Sequence, residues 1–240
     1  MVKAELVKRS PLRILEQSIH GGVGSGNIGV IASRKGTGKT ACLVHIATDQ
    51  LFQGKHVIHV SFSGRTDHIV SWYEDIFREI AKKRELEDAM TVHDDIIKNR
   101  VIMNFSQEGV TAAQLIRSLR SMVTDGQFAA DAIVIDGYDF ERGKPETLVA
   151  VREFASQLGI EVWFSASIHR DDPRVDENGA PALLVPFLES IDVLITLQPS
   201  DGRVKLSLIK DHERYVTEDL HLMLDPKSLL IAEEPSAEAT

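Results

Sequence analysis

Ser33-Arg34-Lys35-Gly36-Thr37-Gly38-Lys39-Thr40 decides how this chain is read. Just before it, Ile28-Gly29-Val30-Ile31-Ala32-Ser33 is a short apolar run of the kind that forms a buried strand. Just after it, a helical period runs from Gly38 to about Phe52, with Gly54 as a stop. A strand, a glycine-bearing turn and a helix opening on Gly-Lys-Thr form the context in which a backbone turn cradles phosphate. Gly36 and Gly38 permit dihedrals that a β-carbon forbids and bring amides close to anionic oxygens. The helix that follows contributes unpaired N–H groups and the positive end of its dipole. In such a loop Lys39 neutralises the β- and γ-phosphates of a nucleotide, and Thr40 offers its hydroxyl to Mg2+. Ser33, Arg34, Lys35, Gly36, Thr37, Gly38, Lys39, Thr40 and Ala41 are therefore expected to line the phosphate site. The usual pattern opens on glycine; Ser33 stands there instead, and a serine at a strand end still lets the turn close.

Further along, apolar runs alternate with helical periods. Strands are expected at 56–62, 100–105, 132–136 and 161–167, and helices at 67–83, 90–98, 111–124 and 145–158. Pro145 near the start and Gly159 just past the end frame the last of these helices. Residues 169–181 carry Asp, Pro, Asn and Gly and read as a loop. Runs at 191–198 and 203–209 flank Pro199-Ser200-Asp201-Gly202 and predict a hairpin, with short strands following near 219–224 and 228–232. This order predicts an α/β fold of three layers, α/β/α. Its sheet is mostly parallel, with antiparallel edge strands at the C-terminal end. Residues 1–27 read as a helix and a Gly-rich lead-in, 28–232 as the nucleotide-binding domain, and 233–240 as a disordered tail.

A second carboxylate completes the expected site. Asp136 ends the apolar strand Ile133-Val134-Ile135, and an aspartate so placed in a phosphate-loop protein helps to hold Mg2+. Lys39 and Asp136 are the candidate catalytic residues, and Thr40 and Asp136 the candidate metal ligands.

Composition narrows the class. The net charge of −9 does not suit a generic nucleic-acid binder. The single cysteine, Cys42, excludes an intrachain disulfide and a cysteine-rich zinc site and fits a reducing compartment. Met1 to Ser10 lacks the apolar centre of a signal peptide, and no run of membrane-spanning length is seen, so a cytoplasmic protein is expected.

Taken together, Gly26-Asn27-Ile28-Gly29-Val30 running into the loop, Gly54-Lys55-His56-Val57-Ile58-His59-Val60-Ser61, Ile133-Val134-Ile135-Asp136 and the predicted hairpin resemble the RecA/KaiC-like branch of P-loop ATPases. The likeness spans about residues 20–210. It implies ATP and Mg2+ as ligands, and rings or filaments with ATP at subunit interfaces. There Lys210, or else Arg214, would reach a neighbour's γ-phosphate. Protein partners are expected; a DNA-acting recombinase or helicase is disfavoured by the acidic balance of 169–184, where Arg170 and Arg174 face Asp171, Asp172, Asp176 and Glu177. No Asn-Lys-x-Asp motif for guanine occurs, which leans to ATP. One departure matters most: the glutamate that orients the attacking water in this family is replaced by Ser63 or Gly64, and the alternative position after Asp136 is Gly137. Asp67, the nearest substitute, reads as a helix cap, while Ser167 or His169 stands where the family senses the γ-phosphate. Slow ATP hydrolysis is expected, with a non-hydrolysing regulatory or scaffold role as the alternative.

Overall fold

The structure, a computed structural model, describes residues 2–62, 65–86, 89–106, 110–169, 174–200 and 202–234. Strands β1 (Ile28–Arg34), β2 (Val57–Ser61), β3 (Arg100–Asn104), β4 (Ala132–Asp136), β5 (Glu161–Ile168), β6 (Val193–Ser200), β7 (Arg203–Asp211), β8 (Arg214–Leu224) and β9 (Ile231–Glu233) form one sheet among the described residues. Their spatial order is β3-β2-β4-β5-β1-β6-β7-β8-β9. Pairing is parallel from β3 to β6 and antiparallel from β6 to β9. This is the mixed, mostly parallel sheet that the alternation of strands and helices predicts.

The central strands are apolar on both sides because both sides are covered. Along β4, Ala132 and Val134 enter one core and Ile133 and Ile135 the other. The first core is roofed by α1 (Val2–Lys8), α2 (Leu12–Ser18), α3 (Lys39–Phe52), α4 (Thr66–Lys83) and α5 (Ala89–Lys98). The second is roofed by α6 (Ala112–Arg120) and α7 (Pro145–Leu158). In α4 the buried stripe is Ile69, Tyr73, Ile76, Phe77 and Ile80, one face of a 3.6-residue period. Val70, next to Ile69 in the sequence, falls off this face and is exposed.

Several elements differ from expectation for local reasons. The helix expected over 111–124 is regular only to Arg120 and then widens into a π turn, Ser121–Asp125. There the Thr124 hydroxyl donates to the Arg120 carbonyl and the Ser121 hydroxyl to the Asp125 carboxylate. Such local side-chain bonds compete with a regular helix. The N-terminal segment is two helices, and its Leu6, Leu12, Leu15 and Ile19 sit in the same core as α3 and β8. Arg13 pairs there with the buried Asp49. The stretch 182–190, for which no element was expected, is a 3-10 helix that buries Leu184, Phe187 and Leu188 around Pro186. Strand β8 begins at Arg214, five residues before the expected 219, because its first half is largely exposed and carries no apolar run. Glu233, expected in a disordered tail, closes β9; residues 235–240 lie outside the described residues. Among the described residues no helix is long and apolar enough to cross a membrane.

The C-terminal strands are tied to α3. The His45 Nδ1 accepts a 2.9 Å hydrogen bond from the Ile231 N–H at the start of β9. Burial drives the His45 pKa down to about 3. The unfolded chain therefore takes up a proton near pH 6.5 that the folded chain refuses, and stability must fall as pH drops. We expect His45 to contribute a slope of about 1.4 kcal/mol per pH unit between pH 6.5 and 3. In His45→Gln, which retains an acceptor for Ile231, this slope disappears. Urea unfolding of both proteins across that pH range measures it.

Candidate functional site

The turn after β1 has the geometry its glycines anticipate. Gly36 (φ 81°) and Gly38 (φ 112°) both occupy the left-handed region, and Gly36 faces open space. Gly38 is also sterically required: a β-carbon there would lie 2.2 Å from a Leu224 methyl at the end of β8. Gly38 is the N-cap of α3 and no side chain caps the helix. The opening amides of α3 therefore remain available to an anion, as at other helix N-termini.

Lys39, Thr40 and Ala41 open α3. The Lys39 ammonium is buried and folds back over the turn, donating to the Ser33 carbonyl (3.1 Å), the Arg34 carbonyl (3.0 Å) and the Ser33 hydroxyl (3.4 Å). Burial lowers its pKa to about 8, and Asp136 acts the other way. Ser33 thus takes a part in holding the lysine that a glycine in its place would not. Arg34 and Lys35 are exposed on the outer side of the turn, and Thr37 donates its N–H to the Arg34 carbonyl at 3.4 Å.

Asp136 reaches the same point from β4. Strand β5 lies between β1 and β4, yet the Thr40 hydroxyl donates to Asp136 Oδ2 at 2.9 Å. On the other carboxylate oxygen, the Ser165 hydroxyl donates to Oδ1 at 2.6 Å and accepts the Gly137 N–H at 2.8 Å. Ser165 therefore fixes both the carboxylate and the peptide that follows it. A hydroxyl and a carboxylate in contact at the end of the sheet are hard oxygen donors of the kind Mg2+ takes. The donor set fits that ion, and the two glycines fit a polyphosphate.

Other expected residues fall elsewhere. Ser63 and Gly64 lie outside the described residues, as do Arg170, Asp171 and Asp172. Asp67 is not a cap: Arg65 holds the N-cap position of α4, and Asp67 pairs with it at 2.6 Å in solvent. Gly137 has φ 82°, and a β-carbon there would make ordinary contact with Phe62. Asp139 Oδ1 accepts the N–H groups of Glu141 and Arg142, and Glu141 pairs with His169 at 3.1 Å. Ser167 is exposed. Lys210 is turned inward, its ammonium donating to the carbonyls of Leu188 (2.7 Å) and Ile191 (2.5 Å), whereas Arg214 is exposed. Sequence reasoning missed the Ser165 bridge and the Leu224 contact. It also missed a buried His59–Tyr73 pair (3.1 Å) on the same face of the sheet as Asp136. The alternation of β5 signals Ser165, since it shares a face with Trp163; the other two depend on tertiary packing.

No protein-family profile matches the sequence, and no curated protein matches it. Solved structures do: 498 chains match, so the fold is widely shared and by itself selects no reaction. One of them, an ATPase domain by its description, superposes with a TM-score of 0.68 at 15% identity, covering 92% of this chain and 89% of that one. The two share their fold, a mixed and mostly parallel sheet with antiparallel C-terminal strands between helical layers.

If Ser165 anchors the site, Ser165→Ala removes a donor from Asp136 and the hydroxyl acceptor of the Gly137 N–H. It should destabilise the chain by about 1–3 kcal/mol. Ser167→Ala, two residues along and exposed, should change it by no more than about 0.5 kcal/mol. Equal effects in thermal and urea unfolding would remove the special role of Ser165.

Proposed function

We propose that this chain binds ATP with Mg2+ and hydrolyses it slowly. The observation that carries the reading is the meeting of three groups on one turn: the Lys39 ammonium, the Thr40 hydroxyl and the Asp136 carboxylate. The amides of Gly36 to Thr40 would surround the phosphates, and Lys39 would exchange its carbonyl partners for phosphate oxygens. That exchange trades neutral acceptors for charged ones and is favoured by charge-assisted hydrogen bonding. Thr40 and Asp136 would hold Mg2+, which supplies charge neutralisation to the β- and γ-phosphates. Ser165 keeps the Asp136 carboxylate aimed at Thr40.

The slow rate follows from what surrounds Asp136. Gly137 brings no carboxylate, and Asp67 is engaged with Arg65 in solvent. A positioned base contributes about 10²–10⁴ in rate, and neither of these two positions supplies one. The same observation favours a second reading, a non-hydrolysing regulator that presents its surface to protein partners. For an assembly in which neighbours share the nucleotide, Arg214 is the exposed cation at the start of β8. Lys210 would first have to leave two carbonyls. The buried lone Cys42 accords with a cytoplasmic setting.

Calorimetric titration with ATP and Mg2+ tests the binding. The wild type should bind one ATP per chain, and Lys39→Ala should lose at least about 100-fold in affinity. Asp136→Asn should lose the Mg2+ dependence. No heat at millimolar ATP would end the proposal. Phosphate release then separates the two readings: turnover above the Lys39→Ala background supports the ATPase, and equal release supports the regulator.

A further inference from the structure

Beyond Asp136, on the side of the sheet opposite α3, a cavity opens. It has a volume of about 390 Å³ and lies between the ends of β2 and β4 and the starts of α6 and α7. Its floor is Phe62, Leu115 and Tyr138, with the Phe62 and Tyr138 rings edge to face at 6.1 Å. Its rim carries Arg142 and Lys144 beside Asp139 and Glu146. The size and the mostly apolar lining are those of a small-molecule site.

The charges on the rim are not equivalent. Asp139 is occupied by the N–H groups of Glu141 and Arg142 and by the Arg142 guanidinium at 3.8 Å. Glu146 lies in the first turn of α7, where the positive end of the helix offsets it. Lys144, the N-cap residue of α7, caps nothing with its side chain, and among the described residues no carboxylate pairs with its ammonium. The balanced rim and the enclosed floor do not suit a polyanionic strand. They suit a flat apolar body that carries one negative group.

We propose that this cavity binds a small aromatic anion. Its ring would lie against Phe62, Leu115 and Tyr138, and its anionic group would meet Lys144. The cavity also adjoins the nucleotide site. The Phe62 N–H donates to the Asp136 carbonyl at 2.9 Å, and Gly137, held by Ser165, joins Asp136 to Tyr138. Occupancy of either site therefore bears on the other. This coupling rests on the nucleotide binding proposed above; the cavity's own ligand does not.

Anilinonaphthalene sulfonate, a fluorescent aromatic anion, is the probe. Titrated into the folded wild type, it should saturate at one molecule per chain. Ala112→Trp, which fills the mouth, and Lys144→Glu, which reverses the rim charge, should each weaken it by at least about tenfold. Lys144 is exposed, so its variant keeps the fold, and circular dichroism checks both. Lys39→Ala should bind the probe as the wild type does; a loss there would place the dye on the phosphate loop and overturn the proposal. Unsaturable binding, or unchanged affinity in both cavity variants, would overturn it too. Saturating ATP and Mg2+ should shift the probe's Kd at least about twofold, and the probe should shift the ATP affinity by the same factor. If calorimetry shows ATP bound while the probe's Kd stays fixed, the coupling is refuted. If ATP does not bind at all, the nucleotide reading fails and the probe's response to the cavity variants still decides the cavity.

Discussion

The structure turns on the space at Gly38. The backbone there must adopt a left-handed conformation to bend from β1 into α3, and Leu224 of β8 closes the room a side chain would need. Both constraints act on one residue and come from opposite ends of the chain. A larger residue would strain the turn and push against the last long strand at once. The phosphate loop is thus supported from below by the antiparallel end of the sheet. This explains why the C-terminal strands belong to the same packing unit as the loop, through Leu224, Leu222 and Ile231 in the core beneath α3.

On the other side, the site is organised by polar groups on one sheet face. Thr40, Asp136 and Ser165 form a connected set, and no member is left to choose its own rotamer. Preorganised oxygens of this kind lower the reorganisation needed when a cation arrives. The lysine behaves differently. Buried and bonded to carbonyls of its own turn, Lys39 is held in a self-satisfied arrangement, which a phosphate would have to displace on the nucleotide reading proposed above.

Much of this was legible in the sequence. The unbroken apolar run of Ile133 to Ile135, the glycines at 36 and 38 and the stripe through α4 each follow from local rules, and they were enough to give the layers and the sheet type. Asp136 could be named because an apolar strand ended in a carboxylate. What stayed hidden depends on partners far away in the chain. Ser165 looks like any strand serine until Asp136 is beside it, and Lys210 looks like a surface cation until the Leu188 and Ile191 carbonyls are seen around it. The first half of β8 was missed because it is held by backbone pairing with β7 rather than by an apolar pattern. Asp67 is not the cap because the helix starts earlier, with Arg65 two residues before it at the N-cap position and paired with its carboxylate.

The short last strand has a mechanical meaning. β9 pairs only through Leu222, Met223 and Leu224 of β8, and its first amide is anchored on His45 in the helix that begins at the phosphate loop. The strand is thus bound on one side to the stretch that ends in Leu224 and on the other to α3. Displacing β9 would therefore disturb the residue that closes the space at Gly38 and the helix that follows that glycine together.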